Sequence, residues 1–303
     1  MLKNFRTVIL LLSLCFADST AATTVVYVVT PTGIVIGADG LLLPPAGPPL
    51  GTNGVQVPGA TTLKIRLLKK RLAVANLDIE FAKSPDLTVT LYDFQTWIKQ
   101  IDEHTDAKMS VSGLTEFIKN QMRTTFAFEI AAIESHKVTK EQAVAGNIDA
   151  PIVRYIIVGY EKGIPVGYSL TLEPNWETHT VNGPVQVLLE APAGSKPDSY
   201  MALSGQTVGI SRVFVEGTKE QKEYSARVPV ESRLGVGKGL TLKQASNVVR
   251  ALLGIEAEAN PRFVGFPITV VTIPRVGNGW ARTYDKDVSA LSTLPKSIQP
   301  KQR

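Results

Sequence analysis

Residues 23–38, TTVVYVVTPTGIVIGA, constrain the fold more than any other stretch. Val, Ile, Thr and Tyr dominate it, and such residues favour extended, pleated backbone. The apolar residues run consecutively instead of alternating with polar ones, which is the pattern of a strand buried on both faces. Pro31, Thr32 and Gly33 interrupt the run with turn residues. The reading is a hairpin of two buried strands, residues 23–30 and 34–38. Such a hairpin needs apolar partners on each side of its sheet.

The rest of the chain supplies candidates for those partners. A Pro/Gly-rich loop at 41–60, with Pro44-Pro45 and Pro48-Pro49, leads to a second strand pair, 63–68 and 72–77, across the basic turn Lys69-Lys70-Arg71. The period then changes. Leu87, Leu91, Phe94, Trp97, Ile98 and Ile101 share one helical face, which predicts a helix over 87–103. Leu114, Ile118, Met122, Phe126 and Ile130 predict a long second helix over 110–135, with Ser110 or Ser112 as its cap. Strands return at 153–159 and 166–172 around Glu161-Lys162-Gly163, then at 185–189 and 200–203. A helix is expected to start within 209–216. Residues 241–258 read as helix with Ala245, Val248, Val249, Leu252 and Leu253 inward, and 266–273 as a closing strand. No linker divides residues 23–275 and no repeat is present. The fold class is therefore α+β: one domain with two sheets between helical layers. Residues 276–303 are polar and read as a flexible extension.

Composition bounds the function. The chain is 44% hydrophobic and 19% charged, which is globular rather than disordered. Its formal charge of +5 is spread along the chain, so no nucleic-acid partner is expected. The single cysteine, Cys15, and the scattered histidines His104, His136 and His179 exclude a disulfide scaffold, a multi-Cys zinc site and a Cys–His nucleophile. The run Gly235 to Gly239 lacks the first glycine of a phosphate loop, since Ser232 stands there, and lacks the hydroxyl after Lys238. It reads as a plain loop, and no cofactor or metal is expected. Residues 1–22 have Lys3 and Arg6 before an apolar core, Val8 to Phe16, and close on Thr20, Ala21 and Ala22. That is the pattern of a cleaved secretory signal. The core is too short to span a bilayer, and Leu14 before Cys15 is too large for a lipoprotein signal. Once the signal is removed, no stable membrane insertion is expected. An exported protein without cysteine suits a bacterial periplasm or secretion without disulfides.

Signal removal after Ala22 would make Thr23 the first residue. A terminal threonine carries a nucleophilic hydroxyl and, in its own α-amine, a base. That amine has a pKa of about 8, so part of it is unprotonated at neutral pH. Two charged residues interrupt otherwise apolar strands: Asp39 after Gly37-Ala38, and Lys64 within Leu63-Lys64-Ile65. An unpaired charge there is costly, and pairing the two beneath Thr23 removes that cost while supplying electrostatics to the hydroxyl.

These residues resemble those of the N-terminal threonine hydrolases of the proteasome β-subunit type. The resemblance lies in Thr23-Thr24-Val25-Val26, in Gly33 to Gly40 with Asp39 sixteen residues after Thr23, and in Thr62-Leu63-Lys64-Ile65. Met201-Ala202-Leu203-Ser204-Gly205 resembles the segment whose serine supports the amine in that family, which implies a supporting role for Ser204. The resemblance runs over residues 23–274 and implies a four-layer αββα sandwich and hydrolysis of amide bonds through a threonine acyl-enzyme. It implies Thr23, Asp39, Lys64 and Ser204 as site residues, a peptide or unfolded protein as substrate, and self-association into a homo-oligomer. Export argues against an ATP-driven partner. The chain departs from the family in its longer loop after Asp39, in the absence of glycine from Asn76 to Glu80, and in the stretch Asn260 to Gly265. The first departure reshapes the cleft, and the other two touch the expected oxyanion hole and amine contacts. They leave a second expectation standing: a catalytically silent, exported scaffold or peptide-binding protein.

Cleavage between Ala22 and Thr23 is testable directly. Intact-mass analysis of the exported protein should give a chain beginning at Thr23. Replacing Ala22 with a bulky residue should leave an uncleaved, inactive precursor; normal maturation of that variant would point to self-cleavage instead.

Overall fold

A computed structural model of the chain describes residues 23–40, 63–69, 71–77, 81–83, 90–106, 108–136, 152–191, 199–233, 239–261 and 264–275. The expected signal at 1–22, the Pro/Gly-rich loop at 41–60, most of the glycine run at 235–239 and the extension at 276–303 lie outside the described residues. In chain order the elements are β1 (Thr24–Thr30), β2 (Gly33–Ala38), β3 (Ile65–Leu68), β4 (Leu72–Asn76), β5 (Phe81–Lys83) and β6 (Thr90–Asp93). Next come α1 (Phe94–His104), α2 (Val111–Thr125), α3 (Ala127–Glu134), β7 (Val153–Glu161), β8 (Ile164–Asn175), β9 (Thr180–Leu188) and β10 (Tyr200–Gly205). The chain closes with α4 (Val208–Val213), α5 (Lys219–Arg227), α6 (Leu242–Ala259) and β11 (Thr269–Pro274).

The fold is mixed α+β, with two main antiparallel sheets and six α-helices among the described residues. The expected hairpin forms, with Val28 opposite Val35, and it becomes the centre of a four-stranded sheet ordered β10-β1-β2-β11. Thr30 closes its turn by accepting the Gly33 N–H at 3.0 Å. The other sheet is ordered β3-β4-β7-β8-β9, and β5 and β6 form a separate ribbon.

Strand period decides which face each side chain covers. Val25, Tyr27 and Val29 of β1, with Ile34 and Ile36 of β2, meet Ala73 and Ala75 of β4 and Ile156 and Val158 of β7. That cluster lies between the sheets. Val26, Val28 and Val35 point the other way and pack with Val248, Val249 and Leu252 of α6. On the opposite sheet Val74, Tyr155 and Ile157 pack with Leu114, Ile118 and Met122 of α2. Three apolar clusters thus alternate with helices and sheets, an arrangement compatible with a sandwich.

Several boundaries differ from those the sequence predicts. The expected helix at 87–103 begins only at Phe94, because Asp93 caps it by accepting the Gln95 and Thr96 N–H groups at 3.3 and 3.0 Å. The preceding Thr90–Asp93 pairs with β5 as strand. The expected helix at 110–135 starts at a Ser110 cap and breaks at Phe126, where φ is −104° and ψ is 24°. Two β-branched threonines, Thr124 and Thr125, precede that break and weaken helix continuity. Helix α5 has no apolar stripe and buries only Tyr224, so periodicity could not reveal it. No helix of the described residues is long and apolar enough to cross a membrane.

Helix α6 opens with a capping box, Thr241 and Gln244 each satisfying the other's backbone N–H. It lies so close to β2 that a Cβ on Gly37 would stand 2.4 Å from Val249 Cγ1 and 2.8 Å from Leu253 Cδ1. Gly37→Ala should therefore lower stability by about 1–3 kcal/mol through overpacking. Denaturant unfolding reads this as a lower midpoint, and Val249→Ala in the same chain should restore part of it.

Candidate active site

The hairpin and its neighbours converge at one end of the four-stranded sheet. Thr24 lies opposite Gly205, and Ala38 lies opposite both Val25 and Thr269, so the ends of three strand pairs are level there. Thr23 stands just before β1, Asp39 just after β2 and Lys64 just before β3. Their side chains meet. Lys64 Nζ donates to Thr23 Oγ1 at 2.7 Å and to Asp39 Oδ2 at 3.1 Å. Thr23 and Lys64 are each 1% exposed and Asp39 is fully buried.

Each group is held by main chain from a different segment. Asp39 Oδ1 accepts the Thr24 N–H at 3.0 Å, and Oδ2 also accepts the Gly265 N–H at 3.3 Å. The Gly40 N–H donates back to the Gly265 carbonyl at 3.1 Å, tying the two loops together. Burial pushes the Asp39 carboxyl above its usual range, while Lys64 and the N–H groups of Thr24 and Gly265 oppose that shift. The Lys64 carbonyl accepts the Asn76 N–H at 2.9 Å, and the side chain of Gln95 on α1 donates to the Leu63 carbonyl. These two bonds fix the main chain that carries the lysine.

Thr23 is pinned from β10 as well. The Gln206 N–H donates to the Thr23 carbonyl at 2.9 Å, and the Thr24 hydroxyl donates to the Gln206 carbonyl. Gly205 makes this approach possible. Its φ is +86°, and a Cβ there would lie 1.8 Å from the Thr23 carbonyl oxygen. Only glycine meets both demands.

Of the four expected site residues, Thr23, Asp39 and Lys64 come together. Ser204 lies opposite Val25 on β10, and among the described residues its hydroxyl makes no hydrogen bond to the other three. At this end of β10 it is Gln206, which sequence reasoning passed over, that bonds Thr23 and Thr24, while Gly205 lets the two segments approach. Gly265, a donor to Asp39, was visible only as part of a divergent stretch. In the expected oxyanion turn, the Asn76 N–H is taken by Lys64 and the Leu77 N–H by the Arg154 carbonyl at 3.0 Å. Asp78 to Glu80 lie outside the described residues. Among the described residues no group of three or more His, Cys, Asp or Glu side chains is placed to hold a metal ion.

Taken chemically, the site presents a hydroxyl whose oxygen receives a hydrogen bond from an ammonium. That contact favours the ionised form of the hydroxyl and stabilises negative charge growing on its oxygen. No family model matches the chain, and no curated protein matches it.

A buried pair behaves unlike a surface one when one partner is removed. Lys64→Met leaves Asp39 enclosed without its cation and should cost on the order of 3–5 kcal/mol at neutral pH. Without Lys64 the carboxyl shifts further upward, so the folded chain binds its proton more readily than the unfolded chain. The deficit should be smallest below the unfolded carboxyl pKa of about 4 and grow as pH rises. Adding Asp39→Asn should recover part of the loss and flatten its pH dependence. A pH-independent deficit in Lys64→Met would contradict the pairing.

Proposed function

We propose that the protein is an exported N-terminal threonine hydrolase that cleaves amide bonds, with peptides or unfolded protein as substrate. The observation that carries this reading is the Lys64 ammonium 2.7 Å from the Thr23 hydroxyl, with Asp39 on its other side. With Thr23 freed as the first residue, its Oγ attacks the substrate carbonyl and the hydroxyl proton passes to the α-amine. Lys64 stabilises the charge on Oγ, and Asp39 holds Lys64 in place. Collapse of the tetrahedral intermediate breaks the amide bond, with the amine returning its proton to the leaving nitrogen. Water then hydrolyses the Thr23 ester and restores the hydroxyl. The three stacked apolar clusters support reading the α+β fold as the four-layer αββα sandwich of the N-terminal nucleophile hydrolases, spanning residues 23–275. A homo-oligomer and a periplasmic or secreted location belong to the same reading.

One observation favours a second reading, a silent relative that binds peptides or serves as a scaffold. The Asn76 and Leu77 N–H groups are both engaged inside the fold, so neither offers an oxyanion donor as it stands.

An electrophile that reacts with hydroxyl and amine together, such as an epoxyketone, separates the two. The processed protein should be labelled at Thr23 alone, with ring closure through the amine. Thr23→Ser should keep reduced turnover and labelling, and Thr23→Ala should lose both. Lys64→Arg should not restore activity, because a planar fork cannot replace a compact ammonium at this distance. Turnover in Thr23→Ala would overturn the enzyme reading; a correctly processed but unlabelled wild type would establish the silent one.

A further inference from the structure

The end of α6 reaches the site by two routes, both through Asn260. This residue ends the helix, and its own main chain is fastened on both sides. Its N–H donates to the Glu256 carbonyl at 2.8 Å, and its carbonyl accepts the Val264 N–H at 3.1 Å. The residue after Val264 is Gly265, whose N–H donates to Asp39. Held at both its amide and its carbonyl, Asn260 is a fixed point from which a side chain can hold something else in place.

That side chain reaches the segment that holds the threonines. Asn260 Nδ2 donates to Gln206 Oε1 at 3.3 Å. Gln206 in turn donates its N–H to the Thr23 carbonyl at 2.9 Å and accepts the Thr24 hydroxyl at its own carbonyl. Gln206 lies between β10 and α4, and Thr207, the N-cap of α4, makes no side-chain capping bond that would steady this junction. The start of α4 lies against the last turn of α6, where a Cβ on Gly209 would stand 2.6 Å from Ala259 Cβ. Across that contact the Asn260 amide ties the Gln206 side chain to the end of α6. Among the described residues no hydrogen bond joins Asn260 to the Thr23 hydroxyl, so its hold on the threonine passes through main chain.

We infer that Asn260 is a positioning residue for Thr23, fixing through the Gln206 side chain the main chain that carries the hydroxyl. The effect on turnover rests on the reading of Thr23 as nucleophile; the effect on the main chain does not. Two variants break the tie from opposite ends. Asn260→Ala removes the donor, and Gln206→Ala removes the acceptor while keeping the N–H and carbonyl that bond the threonines. In hydrogen exchange on the processed protein, the amide of residue 206 should lose protection about five- to tenfold in either variant, with the central β1 amide of Tyr27 unchanged. With a peptide substrate kcat should fall about 10- to 100-fold while KM stays, since displacement of a reacting group by about an ångström costs up to about 100-fold. The double variant should be no worse than the worse single one, because both break one connection. Gln206→Ala carries the test alone if Asn260→Ala does not fold. Unchanged protection at residue 206, equal loss at Tyr27, additive losses in the double variant, or an unchanged kcat in an active protein would each overturn the inference and leave Asn260 as a helix end only. An inactive, unlabelled wild type in which the residue 206 amide still responds would overturn the catalytic reading alone and leave the hold on the main chain intact.

Discussion

Enclosing a lysine ammonium and an aspartate carboxylate together, 3.1 Å apart with side chains 2% exposed or less, is the constraint from which much of the architecture follows. Each ion loses hydration that must be replaced, and mutual attraction alone does not replace it. Asp39 therefore needs donors beyond Lys64, and it takes them from Thr24 and Gly265. Those donors lie at the start of β1 and in the approach to β11. Lys64 arrives on β3 of the other sheet. One buried pair thus ties both sheets together, and the loops around it have little freedom to move without stranding a charge.

The strand pattern makes such a meeting possible. Because β1 and β2 are apolar on both faces, one set of side chains faces α6 and the alternate set faces the second sheet. Small residues, Ala38, Ala73 and Ala75, face across the gap between the sheets and let them approach. Close approach brings Lys64 within reach of residues on the ends of β1 and β2. Glycine performs the corresponding service on the flanks, at Gly37 against α6 and at Gly205 against Thr23. Bulk at the alanines would push the sheets apart and strain the ion pair, whereas at Gly37 it would displace α6 and at Gly205 the main chain of Thr23.

The parts legible in the sequence were those in which one residue's chemistry conflicts with its surroundings. Asp39 and Lys64 stood out as charges in apolar runs, and both lie in the buried cluster with Thr23. The hairpin, the strand pair at β3 and β4, and helix α6 were likewise carried by unbroken apolar pattern. Pattern failed where capping or pairing outweighed it. Asp93 started α1 late, Phe126 interrupted the helix beyond Ser110, and α5 formed on polar residues. At the site, Ser204 was singled out because its segment resembles one whose serine supports the amine, whereas the bonds to Thr23 and Thr24 come from the backbone of Gln206, whose identity gives no sign of them. Glu256, whose Oε2 accepts the Ile210 N–H at 2.9 Å, offered a signal, a carboxylate on the apolar side of a helix, yet Ile210 lies 46 residues away and cannot be read from spacing.

A buried ion pair is weak evidence that a protein needs it for stability, since apolar replacements of similar volume are often neutral or stabilising. The presence of Lys64 and Asp39 is therefore poorly explained by folding alone. The third member of the cluster changes that balance. A hydroxyl such as that of Thr23 is satisfied by any backbone carbonyl or water, and it has no need of an ammonium as donor. An ammonium at 2.7 Å instead lowers the energy of the deprotonated oxygen, a form irrelevant to packing and central to nucleophilic attack. Thr23 also has its carbonyl fixed by Gln206 and the next amide, on Thr24, fixed by Asp39. Main chain held on both sides and a hydroxyl held by a cation together limit the one freedom a nucleophile must lose before it can react efficiently, its orientation. Folding accounts for the Thr24 bond to Asp39 as a donor to a buried carboxylate, whereas the ammonium on the Thr23 hydroxyl is the restraint that the proposed acyl transfer would use.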